Sequence, residues 1–267
     1  MLKSFINYLK GKNLSNNTIS SYIYTVKAFK EMHKEINKDN LLAFKGFLIE
    51  HFKVKTVNLR IQAINKYLEF INKKDLKLSA IRIQQRPFLE NVISDADYEF
   101  FKKALKKDNN YEWYFVIRFL AATGARVSEL IQIKVEHVEL GHLDLYSKGG
   151  KTRRIYIPES LRKESINWLN RIGRDSGYLF LNNKGHIITT RGISIQLKKL
   201  AVKYGINPDV VYPHSFRHRF AKNFIEKYND ISLLADLMGH DSIETTRIYL
   251  RRTATEQREI VDKVIVW

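Results

Sequence analysis

A histidine and an arginine three positions apart are the clearest pair of reactive groups in the sequence. In the segment His214-Ser215-Phe216-Arg217, the first and last side chains would share one face of a helix. That face would surround one oxyanion with an imidazole, which can carry a proton near neutral pH, and a guanidinium, which stays charged. The pair predicts a site that binds a negatively charged group and moves a proton beside it.

A second anion site is predicted at Arg126. Gly124 breaks one helix and Arg126 begins the next, so that backbone amides and a guanidinium would lie together. Glu129 follows one helical turn later and could hold the guanidinium in place. Taken alone, an arginine and a glutamate at this spacing are usually only a surface ion pair.

Three further residues carry reactive side chains, but the sequence around each of them is less specific for a site. Lys148 occupies a Lys-Gly-Gly-Lys turn between two strand-like segments, typical of a hairpin tip, where lysines are most often only solubilising. His240 lies in a turn between helices after Gly239, and Tyr249 comes nine residues later in the helix expected from about residue 242. That turn could let His240 and Tyr249 converge, whereas His218 is expected to make packing or backbone contacts elsewhere.

Charge and composition narrow the class of protein. The 267 residues carry 46 Lys and Arg against 28 Asp and Glu, a net charge of +18, which indicates an acidic polymer as partner. Nucleic acid is favoured over a membrane surface, because no helix segregates lysines opposite a wide apolar face. The absence of cysteine excludes disulfide scaffolds, iron–sulfur clusters and thiol catalysis. The same absence fits a reducing cytosol, and we expect a cytoplasmic protein. With no metal-ligand spacing and no phosphate-binding loop, we expect neither a cofactor nor a metal.

The elements that must position these groups are mostly helices. We predict a mainly α fold with a small antiparallel β-sheet, in which residues 1–76 form a helical domain with candidate DNA contacts, 77–91 a basic linker and 92–267 a mixed α+β domain that carries the reactive groups. The last segment, residues 254–267, is predicted to be a tail helix with an apolar stripe, which could dock on a neighbouring protomer or pack back on its own domain.

Several polar side chains are predicted to contact DNA. A solvated surface is an equally simple explanation for each of those on the N-terminal domain. The candidates are Lys55, Asn58, Gln62, Asn65 and Lys66 on one helix face, Arg82 and Arg86 in the linker, and Lys151 and Arg153 at the hairpin.

In this order the segments resemble the tyrosine recombinase, or phage-type integrase, family. The matching segments are ATGARVSEL (122–130), SKGGKTRR (147–154), HSFR (214–217), LMGH (237–240) and Tyr249, and FINYLKGKNLSNNTISSY (5–22) resembles the family's SAM-like core-binding domain. The overall length is most similar to compact Xer-like or resolvase-like members.

The resemblance implies a catalytic set and a reaction. Tyr249 would attack a phosphodiester and form a 3′-phosphotyrosine, without metal or ATP, so that duplex DNA is cut and rejoined. The groups around the scissile phosphate would be Arg126, Lys148, His214, Arg217 and His240, with Glu129 in support and Lys151 as a competitor for the role of Lys148. The phosphate is an anion and a phenol has a pKa of about 10, so both need a strong positive field.

The resemblance also implies partners. These are double-stranded DNA with an inverted-repeat recombination site and a tetramer assembled on that DNA, with accessory proteins left open. Two alternatives remain at this point: a type IB-like topoisomerase and a non-catalytic DNA-binding protein on the same fold. Integration, excision, inversion and resolution stay open as outcomes, as does attack by Tyr249 in cis or in trans.

Overall fold

The chain divides into two units between residues 85 and 86. The structure, a computed structural model, describes residues 2–82, 91–146, 152–240, 242–250 and 262–263. Its helices and one small antiparallel sheet confirm the predicted mainly α fold class. In these described residues, no helix is both long and apolar enough to cross a membrane.

The N-terminal unit is a bundle of four helices. They are α1 (Leu2–Gly11), α2 (Asn16–Met32), α3 (Lys38–His51) and α4 (Val54–Phe70), followed by a 3₁₀ turn at Lys74–Leu76. Apolar side chains at helical spacing, such as Phe5, Phe29, Phe44 and Leu68, are fully buried and form the core.

An extended segment after the 3₁₀ turn belongs to this bundle, although the sequence placed residues 77–91 in a linker. Leu78 is buried, and its N–H and C=O both bond the side-chain amide of Asn65, each at 2.8 Å. Asn58 makes the same pair of bonds with Ile81, again at 2.8 Å. Residues 78 and 81 are therefore fixed to α4, and Arg82 next to them is exposed.

The second unit surrounds a buried helix. Its helices are α5 (Asp95–Lys107), α6 (Tyr111–Thr123), α7 (Val127–Leu130), α8 (Val135–Leu140), α9 (Glu159–Arg171), α10 (Thr190–Lys203), α11 (Pro213–Lys227) and α12 (Ile231–Met238). Seven of the eight positions of α6 from Tyr114 to Ala121 are buried, all except Arg118, and α5, α9 and α11 pack around this helix.

The predicted hairpin consists of β1 (His142–Tyr146) and β2 (Thr152–Tyr156), paired antiparallel with Leu143 opposite Ile155. These two side chains are buried, and alternation places Arg153 on the same inner face. The outer face carries an ion pair between Asp144 and Arg154. The turn that holds Lys148 and Lys151 lies outside the described residues.

The end of the chain differs from the predicted helix. Residues Ile243–Thr245 and Arg247–Leu250 form short 3₁₀ turns, and the second carries Tyr249. The side chain of Ser242 accepts a hydrogen bond from the Glu244 N–H, which caps the first turn. The predicted tail helix lies outside the described residues except for residues 262–263, which are helical.

Candidate active site

The Arg126 site forms where α6 gives way to α7. Gly124 ends α6 with φ of +60°, and a Cβ there would lie 2.5 Å from the ring of Phe220, so that glycine is required. Arg126 caps α7: its N–H donates to Oε2 of Glu129 at 2.6 Å, and its Nη1 donates to Oε1 at 2.8 Å. The predicted pair is present, and because Glu129 is buried it is more than a surface ion pair.

Arg217 lies on α11 and is almost completely buried. Its Nη1 donates to the carbonyl of Gly124 and its Nη2 to the carbonyl of Met238, both at 2.5 Å. Burial, together with the positive charges of Arg126 and Arg153, lowers the pKa of Arg217 to about 10. The guanidinium is still charged near neutral pH, in a site that already holds other arginines.

A third arginine, Arg153, completes this cluster. Arg153 was assigned to DNA contact from the sequence, but its side chain is only 11% exposed. Its Nη1 donates to both oxygens of Glu129, at 2.5 and 2.6 Å, and its Nη2 donates to the carbonyl of Leu237 at 2.8 Å. The guanidinium is therefore committed to the interior of the site.

The three arginines bind successive carbonyls at the C-terminus of α12. Leu237 accepts from Arg153, Met238 from Arg217 and Gly239 from Arg126, the last at 2.8 Å. The ends of helices leave such carbonyls without intrahelical partners and carry partial negative charge. The segment Leu237-Met238-Gly239 is thus the support on which the cationic site is assembled.

His240 follows this support and joins the cluster. Its Nε2 lies 3.1 Å from Nη2 of Arg217, and its Nδ1 lies 2.7 Å from Oγ1 of Thr246. Because the arginine can only donate, Nε2 accepts and Nδ1 carries the proton. Burial and the charge of Arg217 lower the pKa of His240 to about 4, so the ring is neutral near pH 7.

Tyr249 contacts α11 through the side chain of His218. The phenol oxygen lies 2.7 Å from Nδ1 of His218, which corrects the expectation that His218 only packs or contacts backbone. Burial raises the pKa of Tyr249 to about 12, although Arg217 opposes the shift. Burial and the charge of His214 lower the pKa of His218 to about 4, so a neutral imidazole meets a protonated phenol.

His214 is exposed at the start of α11. Partial burial, with the charges of Arg217 and Arg126, lowers the pKa of His214 below its usual value.

A cavity of about 1210 Å³ opens beside the cluster and is lined by Arg126, His240, Lys134, Tyr146, Tyr156 and Tyr178. The basic side chains of this cavity suit a polyanion.

Some of the predicted DNA-contact residues are exposed, and others are engaged in contacts within the protein. Lys55, Gln62 and Arg82 are exposed on the N-terminal unit, and Lys66 is paired with Glu69 at 2.9 Å. The side-chain amides of Asn58 and Asn65 are hydrogen-bonded to the backbone of the extended segment, so neither amide is available to a base or a phosphate in this arrangement. Lys148, Lys151 and Arg86 lie outside the described residues. Among the described residues, no group of three histidines or carboxylates could hold a metal ion.

Comparison with known proteins agrees with this arrangement. The phage integrase family model matches residues 91–256, and the phage integrase N-terminal SAM-like domain matches residues 2–75. The tyrosine recombinase XerA of Pyrococcus furiosus is 32% identical over 272 aligned residues, which cover 98% of this chain and 93% of that protein.

Two solved structures show the same fold. The Tn1549 transposon integrase, in complex with transposon right end DNA, superposes with a TM-score of 0.76 at 17% identity over 98% of both chains. The XerH site-specific recombinase, bound to a palindromic difH substrate, gives a TM-score of 0.70 at 20% identity, covering 97% of this chain and 82% of that one.

Proposed function

The chain belongs to the phage integrase family of tyrosine recombinases, and on that premise we propose that it cuts and rejoins duplex DNA at a specific site through a 3′-phosphotyrosine. One observation carries this proposal. Arg126, Arg217 and His240 converge at the C-terminus of α12, while Tyr249, nine residues beyond His240, contacts the helix that carries Arg217.

Binding of the scissile phosphate is the first step. Arg126 uses two of its five N–H groups on Glu129 and Gly239, and its side chain is 37% exposed, so the guanidinium can accept a further anion. Arg126 and Arg217 would hold the two non-bridging oxygens and offset their charge. His240, which is neutral and accepts a hydrogen bond from Arg217 at Nε2, would fix that guanidinium beside the phosphate.

Transfer of the phosphoryl group follows. The phenol oxygen of Tyr249 forms a bond to phosphorus while the bond from phosphorus to the 5′ oxygen breaks. The phenol, which is hydrogen-bonded to His218 in the free protein, gives its proton to His214 once it has turned to the phosphorus, and the departing 5′ oxygen takes a proton from Lys148. The role of Lys148 comes from its place in the hairpin turn and from the resemblance to the family. His218 would orient the phenol, since it is the group that contacts the phenol in the free protein.

Rejoining reverses these steps. A 5′-hydroxyl from a second strand attacks the phosphotyrosine, and the phenol leaves with the proton that it gave up. One phosphodiester is exchanged for another, so the reaction needs no ATP, and the arginines offset the phosphate charge, so it needs no metal. We also propose that the substrate is duplex DNA with inverted repeats and that the protein acts on it as a tetramer. The palindromic substrate of the XerH complex supports this substrate class.

A nicked substrate tests the proposal directly. Duplexes from the DNA that flanks the coding region, with inverted repeats and a nick near the spacer, should trap a covalent protein–DNA adduct that survives denaturation. Tyr249→Phe should abolish the adduct, and Tyr228→Phe, which changes an exposed tyrosine at the end of α11, should retain it. Failure of the wild-type protein to form an adduct on any such duplex contradicts the enzyme and favours the non-catalytic alternative.

A second measurement separates the recombinase from a topoisomerase. Two DNA molecules that each carry the site are mixed, and the products are examined for hybrids. Hybrid molecules support recombination, because only strand exchange joins the two parents. Relaxation of supercoils with an adduct but without hybrids identifies the type IB-like activity instead.

A further inference from the structure

We propose that Arg153 is a positioning residue of the recombination site, which keeps the carboxylate of Glu129 from capturing Arg126 and from repelling the scissile phosphate. The inference rests on the proposed function and adds a residue to it. It also gives Arg153 a role other than the DNA contact predicted from the sequence.

Two arginines share Glu129, but they share it unequally. Arg153 contacts both carboxylate oxygens, at 2.5 and 2.6 Å, whereas the guanidinium of Arg126 contacts one, at 2.8 Å. The side chains of Arg153 and Glu129 are 11% and 12% exposed, but that of Arg126 is 37% exposed. Arg153 is therefore the closer and more buried partner, and Arg126 is left partly open towards the cavity.

Arg153 is also held from its other side. Its Nε and Nη2 donate to the carbonyl of Leu237 at 3.2 and 2.8 Å. A Cβ on residue 239 would collide with Cδ of Arg153, so Gly239 leaves the space through which this side chain passes. The side chain thus spans the distance between α7 and the end of α12 in one fixed position.

Removing Arg153 would leave a buried carboxylate with Arg126 as its remaining cationic partner. A charge buried in that way is costly, and the carboxylate can regain a two-point contact by drawing the Arg126 guanidinium away from the cavity. Its negative charge would also oppose a phosphate bound at the same place. With Arg153 present, the pKa of Glu129 lies below its usual value, because the arginines outweigh the effect of burial.

A double-mutant cycle tests the inference on the nicked substrate under single-turnover conditions. We expect Arg153→Met to slow adduct formation by about 100-fold, the scale of a misplaced phosphate-binding group. Adding Glu129→Gln should restore the rate by about tenfold, because the neutral amide neither captures Arg126 nor repels the phosphate. Affinity for the uncleaved duplex should change little in either variant, since the scissile phosphate is one of many phosphates that the protein contacts.

Arg162→Met is the matched control. Arg162 also binds a carboxylate, Glu159, and a backbone carbonyl, that of Glu139, but it lies on α9 away from the cluster. Its variant should react at the wild-type rate.

The cycle is decisive even if Arg153→Met alone fails to fold. In that case Glu129→Gln is compared with the double variant, which contains no buried unpaired carboxylate. A double variant within about tenfold of Glu129→Gln supports the inference, because Arg153 is then largely dispensable once Glu129 is neutral. A loss larger than about tenfold in that comparison overturns it. The wild-type adduct in the same assay shows that the proposed function holds, so the two failures are distinguishable.

Discussion

At the scale of single residues, the contact between Tyr249 and His218 determines where the proposed nucleophile lies in the free protein. The two residues are 31 positions apart, and the hydrogen bond between them is 2.7 Å long. With a pKa of about 4, His218 is neutral throughout the range in which a DNA-cutting enzyme works, and it can accept the phenol proton's hydrogen bond at Nδ1. Orientation of a nucleophile by one hydrogen bond accounts for a useful part of a rate enhancement.

Replacing His218 should therefore slow cleavage without abolishing it. We expect His218→Leu to lower the single-turnover rate of adduct formation by roughly 10- to 100-fold, whereas His218→Gln, which retains an acceptor, should lose less. Since the imidazole does not titrate above about pH 5, the shape of the pH–rate profile between pH 6 and 9 should be unchanged in both variants. A His218→Leu enzyme as fast as the wild type would show that the contact plays no part in orientation.

Local spacing explains which site residues could be predicted from the sequence. Arg126 and Glu129 are one helical turn apart, so their contact followed from the sequence alone. Strand alternation also indicates the inward direction of Arg153, because this residue lies two positions before Ile155, which is buried on the inner face of β2. The contact of His218 had no such signal, because it depends on where the 3₁₀ turn after α12 places Tyr249.

At the scale of elements, α4 and the extended segment after it form one structural unit. Asn58 and Asn65 are seven residues apart, a rise of about 10.5 Å along a helix. Their partners Ile81 and Leu78 are three residues apart, about 10 Å in an extended chain. The two distances match, so each asparagine amide pairs with the backbone N–H and C=O of one residue in the segment. From the sequence, these asparagines differed in no visible way from exposed Gln62 on the same helix.

Loss of either amide should destabilise the N-terminal unit. Asn58→Ala and Asn65→Ala each leave a backbone N–H and C=O of the segment without their partner, at a cost of about 1–3 kcal/mol. The free energy of opening, measured on the whole chain by hydrogen exchange of the α4 amides, should fall by that amount, whereas Gln62→Ala should leave it unchanged. Equal protection in all three variants would mean that the segment does not support α4.

At the scale of the whole molecule, the order of the two units can be predicted from the sequence, but the residue at which the N-terminal unit ends cannot. Apolar residues at helical spacing and the basic composition predict a helical N-terminal unit before a larger second unit. The SAM-like domain model matches residues 2–75, and the phage integrase family model matches residues 91–256. The predicted linker began at residue 77 because the helical periodicity ends near residue 72. The side-chain amides that hold residues 78 and 81 belong to α4, so no pattern within the segment itself reveals the contact.

The charge of the whole molecule makes a prediction that needs no knowledge of the target site. A chain with a net charge of +18 should bind any duplex mainly through phosphates, releasing counterions as it does so. If six or more phosphates are contacted, affinity for a random duplex should fall by about 10³-fold or more between 50 and 200 mM salt. Lys55 is exposed on α4, and Lys55→Ala should reduce the slope of log affinity against log salt by about 0.9 for its one phosphate. Asn58→Ala, assayed where it is folded, should keep the full slope, because its amide holds the segment and not the DNA. A slope unchanged by Lys55→Ala would remove that lysine from the DNA-binding surface.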